Sequence, residues 1–206
     1  MTGRRQVIVD CETTSLEPDY DGGTGVLWEL CLLERDRPPS LWRVQLSPLE
    51  LASASDESLE IGRYHERTAR MLPARDGWVY CLNEPDETPH WSDPAELAGV
   101  IAAALDGVTI VGANPGFDAG FLSAFLAHHV QPRQPWHYRL RDIGSMAWGY
   151  LSAFAGRDKV CPPMDASTDE FALALGIDVS QFERHSALGD CRLVALMLDI
   201  IEGVTR

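Results

Sequence analysis

Short apolar runs near the start of the chain predict three β-strands. The runs lie at Gln6–Asp10, Val26–Glu34 and Leu41–Gln45, and each is bounded by polar or turn-forming residues. A turn over residues 36–40 (DRPPS) joins the second run to the third. We therefore predict an antiparallel meander of three strands in the first part of the chain.

Residues 46–92 show neither the period of a strand nor a sustained helical period. A short helix near Ile61–Met71 is the one regular element that the sequence suggests there. We predict that most of the remaining stretch is loop, an irregular excursion from the domain.

From residue 93 onward, helical and strand patterns alternate. Asp93-Pro94 and Asn114-Pro115 each combine an N-capping side chain with a proline in the first helical position. The predicted elements are a helix over Pro94–Leu105, a strand over Val108–Ala113, a helix that begins after Asn114, a strand over Trp136–Leu140, a helix over Ile143–Phe154, a loop over Arg157–Ser167, and helices over Thr168–Leu175 and Ser186–Ile201.

Apolar residues at helical spacing predict which helix faces are buried. These residues are Leu97, Val100, Ile101 and Leu105 in the first helix, Phe117, Phe121, Leu122, Phe125 and Leu126 in the second, and Leu193, Leu196, Met197 and Ile200 in the last. Strands followed by alternating helices and strands are typical of an α/β fold. We predict a mixed β-sheet flanked by helices, in a single domain over residues 1–206.

Composition narrows the class of protein. Hydrophobic residues make up 45% of the chain and charged residues 23%, as in soluble globular proteins. No run approaches the roughly 18 apolar residues of a membrane span, and the apolar run after the first arginines is too short for a signal peptide. The five cysteines include no C-x-x-C pair, which disfavours a structural zinc site and suits reduced thiols. We expect a cytoplasmic protein with no membrane partner.

The net charge of −14 argues against a broad basic face for nucleic acid. It is compatible with an enzyme that grips a few nucleotides at one strand end through metal ions. A cluster of carboxylates that binds divalent cations would itself make the charge more negative.

Two acidic side chains stand at the end of the first predicted strand. Asp10 and Glu12 are two residues apart, so they point to the same face, roughly 7 Å apart along the strand. Two carboxylates beside an apolar run are costly to bury, and a hard cation such as Mg²⁺ is a natural partner for them. The alternative is a solvated strand end, since D-x-E pairs are common.

Two more segments carry candidate chemistry. Asp118 lies in the first turn of a predicted helix, where an acid also compensates the helix dipole. The segment 184–190 (RHSALGD) places His185 just before the last predicted helix and Asp190 in its opening turns. A lone histidine is more often structural than catalytic, so none of these residues indicates a function by itself.

Taken together, the segments VDCETTSL, NPGFDAGFL and HSALGD resemble the three exonuclease motifs of the DEDDh (DnaQ-like) superfamily. Asp10 and Glu12 match the first motif, Asp118 the second, and His185 and Asp190 the third, in the expected order. Each motif is weak alone, but five matching positions in sequence are specific.

The resemblance extends from about residue 6 to residue 200 and implies a ribonuclease-H-like fold with the first strand central. It implies that the four acids hold two Mg²⁺ or Mn²⁺ ions and that His185 is the general base. The implied activity is that of a metal-dependent 3′→5′ exonuclease. Such an enzyme releases 5′-mononucleotides from the 3′ end of single-stranded or frayed nucleic acid, and DNA proofreading or repair is the favoured role.

The resemblance also implies substrate contacts. Thr13 and Thr14 are expected near the terminal sugar, and Leu16 is expected to wedge against the last base. Asn114 is placed in the same set, and Phe117 either stacks on a base or belongs to the helix core. Two positions depart from the family pattern: Ser15 replaces a frequent glycine, and Gly189 replaces a larger side chain.

Several alternatives stay open at this point. The substrate could be RNA, as in RNA-trimming 3′→5′ exoribonucleases, because recognition of the 2′-hydroxyl depends on a pocket. The chain could instead be a non-catalytic binding module with a nuclease fold, or a metal phosphohydrolase that acts on free nucleotides. A polymerase or a second copy of the chain is an open partner besides the 3′ end of DNA or RNA.

Overall fold

A mixed β-sheet forms the centre of this protein, and helices pack on it. The computed structural model describes residues 3–22, 24–69, 79–83, 90–130, 134–154 and 161–204. The described strands are β1 Gln6–Thr13, β2 Leu27–Leu33, β3 Ser40–Val44, β4 Val79–Asn83, β5 His90–Ser92, β6 Thr109–Gly112 and β7 Arg141–Asp142. These seven strands form one sheet in the order β5-β4-β3-β2-β1-β6-β7.

The sheet is mixed because β1 pairs antiparallel with its neighbour on one side and parallel with its neighbour on the other. The strands from β1 to β5 pair antiparallel along the sheet, whereas β1 pairs parallel with β6 and β6 parallel with β7. The described helices are α1 Pro48–Ser53, α2 Asp56–Ile61, α3 Tyr64–Thr68, α4 Pro94–Ala104, α5 Pro115–His129, α6 Ile143–Phe154, α7 Thr168–Ala174 and α8 Ala187–Glu202, with a 3₁₀ turn at Val179–Gln181.

Two buried clusters cover opposite faces of β1. Val7 and Val9 contact the apolar side chains of α4 and α5, whereas Ile8, between them in sequence, contacts those of α6, α7 and α8. Because successive strand residues point to opposite faces, a strand covered on both faces is apolar throughout. This double coverage explains the uninterrupted run Val7–Val9 and places the end of β1 in the middle of the fold.

A third, smaller cluster lies under the short helices. Trp28 at the start of β2 packs with Leu59 of α2 and Tyr64 of α3, and all three are buried. The rings of Trp28 and Tyr64 meet edge to face, with their centroids 5.1 Å apart. This cluster fixes α1–α3 beside the end of β1.

The α/β class, the mixed sheet flanked by helices and the three-strand meander are confirmed. The helix predicted over Ile143–Phe154 has those bounds, and the other helices predicted from residue 93 onward differ from the observed ones by a single residue at their ends. Among the helices of the described residues, none combines the length and apolar character that crossing a bilayer requires.

The prediction of loop for most of residues 46–92 is wrong in its described parts. That stretch forms α1, α2, α3, β4 and β5. The helix expected near Ile61–Met71 occurs as α3 over Tyr64–Thr68, and part of the expected range lies outside the described residues.

The prediction of a strand over Trp136–Leu140 is also wrong, because the strand there is limited to Arg141–Asp142. The preceding segment lies beside the start of β6 and makes only separate hydrogen bonds to it, from His137 N to Val108 O at 2.8 Å and from Gly107 N to Pro135 O at 2.9 Å. Trp136 is apolar and buried without belonging to a ladder. The predicted loop over Arg157–Ser167 lies partly outside the described residues.

Three smaller corrections concern helix positions. Val100 is 56% exposed and Leu196 is 40% exposed, although both were expected in buried faces. Neighbouring helix residues point about 100° apart, so Val100 turns away from the sheet when Ile101 faces it. Asn114 occupies the N-cap position of α5, but its side chain makes no capping hydrogen bond.

Candidate functional site

The candidate site lies at the carboxyl end of β1. Asp10 and Glu12 share the face of β1 that carries Ile8 and is covered by α8. Both carboxylates are partly buried between β2 and the helices. A β-bulge after Glu12 shifts the pairing of β1 with β2, and the chain turns away from the sheet soon afterwards.

A third carboxylate reaches this point from α8. One ligand oxygen from each of Asp10, Glu12 and Asp190 lies within 4.8 Å of the other two. Asp190 is in the first turn of α8, which begins at Ala187 behind the N-cap Ser186. The short loop before α8 therefore determines where this carboxylate lies.

Asp118 approaches the same strand end from α5, on the other face of the sheet. Its Oδ1 accepts a hydrogen bond of 2.9 Å from the backbone N–H of Cys11, which stands between Asp10 and Glu12. Asp118 is buried, and it lies outside the close group formed by Asp10, Glu12 and Asp190. The structure thus brings the four predicted acids to one strand end. The oxygens of three of them, Asp10, Glu12 and Asp190, lie within 4.8 Å of one another.

Burial makes these carboxylates hard to ionise. It raises the pKa of Asp10 well above its ordinary value, and the negative charges of Asp118 and Glu12 raise it further. Burial raises the pKa of Glu12 to about 7, against the attraction of Arg67 and Arg184. Both carboxyl groups therefore keep their protons to a higher pH than they would in water.

Burial also raises the pKa of Asp118 to about 7, although the hydrogen bonds from Cys11 lower it. One of the two carboxylate oxygens is occupied by the Cys11 amide. The carboxylate is therefore oriented by the backbone of β1 before any ligand binds.

An arginine next to the motif histidine places a positive charge at the acidic group. Arg184 forms an ion pair with Asp190, and its Nε donates to Asp169 Oδ1 on α7 at 2.8 Å. The guanidinium of Arg184 thus competes with a cation for the carboxylate of Asp190.

His185 is exposed and has a left-handed backbone conformation, with φ of 58°. Its backbone N–H donates to Asp190 Oδ2 at 3.2 Å. Histidine is among the residues other than glycine that adopt this conformation more often than average. The predicted general base therefore lies beside the acidic group, and its backbone is hydrogen-bonded to Asp190.

Gly189 has a steric reason to be glycine in this loop. A Cβ at this position would overlap the carbonyl oxygen of Glu183, which approaches the first turn of α8. The same carbonyl accepts a hydrogen bond of 2.6 Å from Ser186 Oγ. The departure from the family pattern at Gly189 is explained by this tight turn.

The two predicted threonines support the turn after β1 from within. Thr13 Oγ1 donates to Ser15 O at 2.7 Å. Thr14 is fully buried, its Oγ1 accepts from Val26 N at 2.9 Å, and its carbonyl accepts from Ser55 N at 2.8 Å. Thr14 is therefore not presented at the surface, and its contribution to the site is to shape the turn.

Leu16 is presented to solvent, with 83% of its surface exposed. It lines an open groove of about 870 Å³ between the turn after β1 and α2, together with Ser58 and Ile61. The groove is bordered by α1 and α2, which sequence patterns did not predict.

The remaining two predicted substrate residues lie at the start of α5. Asn114 is exposed, and its side chain does not cap the helix. Phe117 is partly buried and packs against Phe121, with ring centroids 4.9 Å apart. Its inner face therefore belongs to the core.

The donor set of the close group fits a hard divalent cation. All three side chains offer carboxylate oxygens, the ligands that Mg²⁺ and Mn²⁺ prefer, and the group contains neither the thiolates nor the imidazoles of a zinc site. Burial raises the pKa of Glu12, and a bound cation would favour the ionised form of this carboxylate.

Sequence patterns missed three charged residues beside the site. Arg184 precedes the motif histidine and could have been noticed there. Arg67 and Glu29 gave no signal, because one lies in the poorly patterned stretch 46–92 and the other is a single acid within an apolar strand. Both are buried, and they form an ion pair with each other.

In comparisons with known proteins, no protein-family model and no curated protein sequence matches this chain.

Proposed function

We propose that this protein is a metal-dependent 3′→5′ exonuclease with a ribonuclease-H-like fold. The observation that carries the proposal is the convergence of Asp10, Glu12, Asp118 and Asp190, from three separate elements, on one strand end. The motif resemblance supplies the reaction, the release of 5′-mononucleotides from single-stranded or frayed 3′ ends. DNA is the favoured substrate.

The order of the central strands supports the fold proposal. β1 is flanked by an antiparallel meander on one side and by the parallel strands β6 and β7 on the other. The resemblance implies this central position for the first strand. Helices on both faces complete the layered arrangement.

Asp10, Glu12 and Asp190 would hold the divalent cations, with Asp118 completing the set from the other face of the sheet. When bound, Mg²⁺ or Mn²⁺ ions would acidify water and offset charge on the scissile phosphate. His185 would accept the proton of the attacking water, as histidine side chains do in general base catalysis. The backbone of His185 is bound to Asp190, so base and ligand are positioned together.

The groove lined by Leu16 and Ile61 offers space for the terminal nucleotide. Leu16 is exposed enough to contact a base, and base contacts of this kind are tolerant of sequence. Asn114 and the outer edge of Phe117 would meet the strand from the α5 side. Thr13 and Thr14 would hold the turn that presents Leu16.

The test is gel analysis of 5′-labelled DNA and RNA strands with Mg²⁺, with Mn²⁺ and with EDTA. We expect stepwise shortening from the 3′ end with either metal and none with EDTA. Asp10→Asn and Asp190→Asn should lower the rate by at least about a thousandfold, because each removes a ligand charge without changing side-chain size. The exposed carboxylate variant Asp36→Asn is the control and should digest at the wild-type rate.

Metal-independent digestion, or wild-type rates in both ligand variants, would refute the proposal. The ratio of DNA to RNA cleavage decides between the deoxyribonuclease and exoribonuclease alternatives. Binding of the strands without any nucleotide release would instead favour the non-catalytic module.

A further inference from the structure

Arg67 is a buried arginine in α3, outside the three motifs. Its Nη1 donates to the carbonyl oxygens of Gly62 at 3.1 Å and of His185 at 3.2 Å. Its Nη2 forms an ion pair with Glu29, and its Cζ lies 5.2 Å from the centroid of the Trp28 ring. One guanidinium therefore joins α3, β2 and the loop that precedes α8.

Glu29, on the strand next to Glu12, binds this guanidinium. It is fully buried in β2, directly opposite Glu12 in the pairing of β1 with β2. Its Oε1 pairs with Arg43 of β3 at 3.1 Å, and its Oε2 pairs with Arg67. Because Glu29 is buried and its Oε2 binds Nη2, the guanidinium of Arg67 has a fixed orientation.

The contact with His185 falls on a residue whose backbone needs support. His185 is one of two described non-glycine residues with positive φ. Its N–H is held by Asp190 Oδ2, and its carbonyl is held by Arg67 Nη1. Both peptide groups of this residue are thus fixed, one by a proposed metal ligand and the other by Arg67.

We propose that Arg67 is a positioning residue for the general base, which holds the His185 backbone in its left-handed conformation and so directs the imidazole toward the acidic group. This inference rests on the proposed exonuclease function. It also gives residues 48–68 a role in catalysis, since α3 reaches the base through Arg67.

An arginine suits this task better than a lysine does. The planar guanidinium donates in two directions at once, so the Glu29 pair aims Nη1 at the His185 carbonyl. A lysine would keep the charge beside Glu29 but would offer a single ammonium without this fixed fork. Arg67→Lys therefore keeps the positive charge beside Glu29 and removes the directed hydrogen bond to the His185 carbonyl.

The matched control is Arg43→Lys. Arg43 binds the other oxygen of the same Glu29 but approaches it from β3. This variant reports what is lost when one of the two arginines of Glu29 becomes lysine. The melting temperature of each variant measures the cost to stability.

Steady-state kinetics on a 5′-labelled single strand provide the first readout. For Arg67→Lys we expect kcat to fall by about 10–100-fold, as for other residues that orient a reacting group, with KM within about twofold of wild type. Calorimetric titration with Mn²⁺ should give an affinity within about twofold of wild type, because the carboxylates are untouched. Arg43→Lys should keep the wild-type kcat.

The second readout needs no activity. In metal-free protein labelled with ¹³C,¹⁵N-histidine, the His185 amide and Cα signals, assigned with His185→Gln, report its backbone conformation. Arg67→Lys should shift these signals toward ordinary right-handed values, and Arg43→Lys should leave them in place.

Unchanged kcat and unchanged His185 signals in Arg67→Lys would overturn the positioning role while leaving an active wild type, and with it the proposed function, intact. An equal loss of kcat in both variants, or a loss confined to KM, would overturn it too. A wild-type protein without metal-dependent nucleotide release would overturn the proposed function, and the role of Arg67 in it.

Discussion

The charge state of Glu12 depends on its burial at the end of β1. Its pKa of about 7 exceeds its ordinary value of 4.5, so the folded protein binds this proton more tightly than the unfolded chain does. The resulting stabilisation is fully present below the unfolded pKa and is lost as the pH rises through the folded pKa. Asp118 acts in the same direction, with a pKa of about 7 against 3.8.

We therefore expect the melting temperature of metal-free protein to fall between about pH 5 and about pH 8. Glu12→Gln removes one of the contributing groups, so its melting temperature should fall less over the same range. Thermal unfolding followed by circular dichroism in EDTA measures both. A wild-type melting temperature that rises with pH, or an undiminished fall in Glu12→Gln, would contradict this account.

A second residue-scale prediction concerns Arg184, which is paired with Asp190. A cation that binds Asp190 must displace this guanidinium, and the lost ion pair reduces the apparent affinity. Arg184→Gln should bind Mn²⁺ several-fold more tightly than wild type in a calorimetric titration. Arg63→Gln is the matched control, because Arg63 lies nearby but pairs with Glu183 and Glu66. Equal affinities in wild type and Arg184→Gln would refute the competition.

At the scale of elements, α2 and α3 meet β1 at a point where only glycine fits. A Cβ on Gly62 would lie 2.7 Å from Trp28 Cζ2 and 3.0 Å from Glu12 Oε2. The carbonyl of Gly62 also accepts from Arg67 at 3.1 Å. This junction sets the distance between the short helices and the acidic group.

Gly62→Ala should therefore destabilise the protein by about 1–3 kcal/mol, because the added methyl overlaps a buried ring. It should also lower kcat, because Glu12 and α3 are displaced together. Gly99→Ala is the control: Gly99 is an exposed residue of α4 with nothing within 4 Å of the added Cβ, and the change should stabilise by about 0.5–1 kcal/mol. Chemical denaturation measures both, and equal stabilities would exclude a tight junction at Gly62.

Local patterns predicted the elements that are long or covered on both faces, such as β1 and α6. They failed for most of residues 46–92, where the helices have five or six residues each, too few to show a helical period, and where α1 and α2 begin at capping serines. The capping box of Ser47 with Glu50, ahead of α1, was present in the sequence and overlooked. The acids of the candidate site came from motif resemblance. Arg67 and Glu29 could not be predicted, since their pairing joins residues distant in the chain.

At the scale of the whole molecule, 31 acidic residues against 17 basic ones leave little positive surface for a phosphate backbone. Affinity for nucleic acid should then come from the few contacts at the 3′ end. Salt weakens binding in proportion to the number of phosphates that basic side chains neutralise. Salt should consequently weaken substrate binding by such an exonuclease only modestly.

We expect a plot of log KM against log salt between about 50 and 200 mM KCl, at fixed Mg²⁺, to have a slope of about 1–2 rather than the much steeper slope of proteins that neutralise 6–10 phosphates. The steep dependence would reveal a basic surface that the charge balance does not suggest. Potassium acetate in place of chloride controls for specific anion effects.

The hydrogen bond from Cys11 to Asp118 joins β1 to the helix layer built on α4 and α5. At the same strand end, the layer built on α6, α7 and α8 supplies Asp190, so each helix layer contributes an acid. An ion bound there would link the two helix layers, which otherwise contact each other mainly through the sheet. Binding of an ion at the site would then stabilise the packing of both helix layers on the sheet. Conversely, a change that loosens either layer would lower the affinity for the ion.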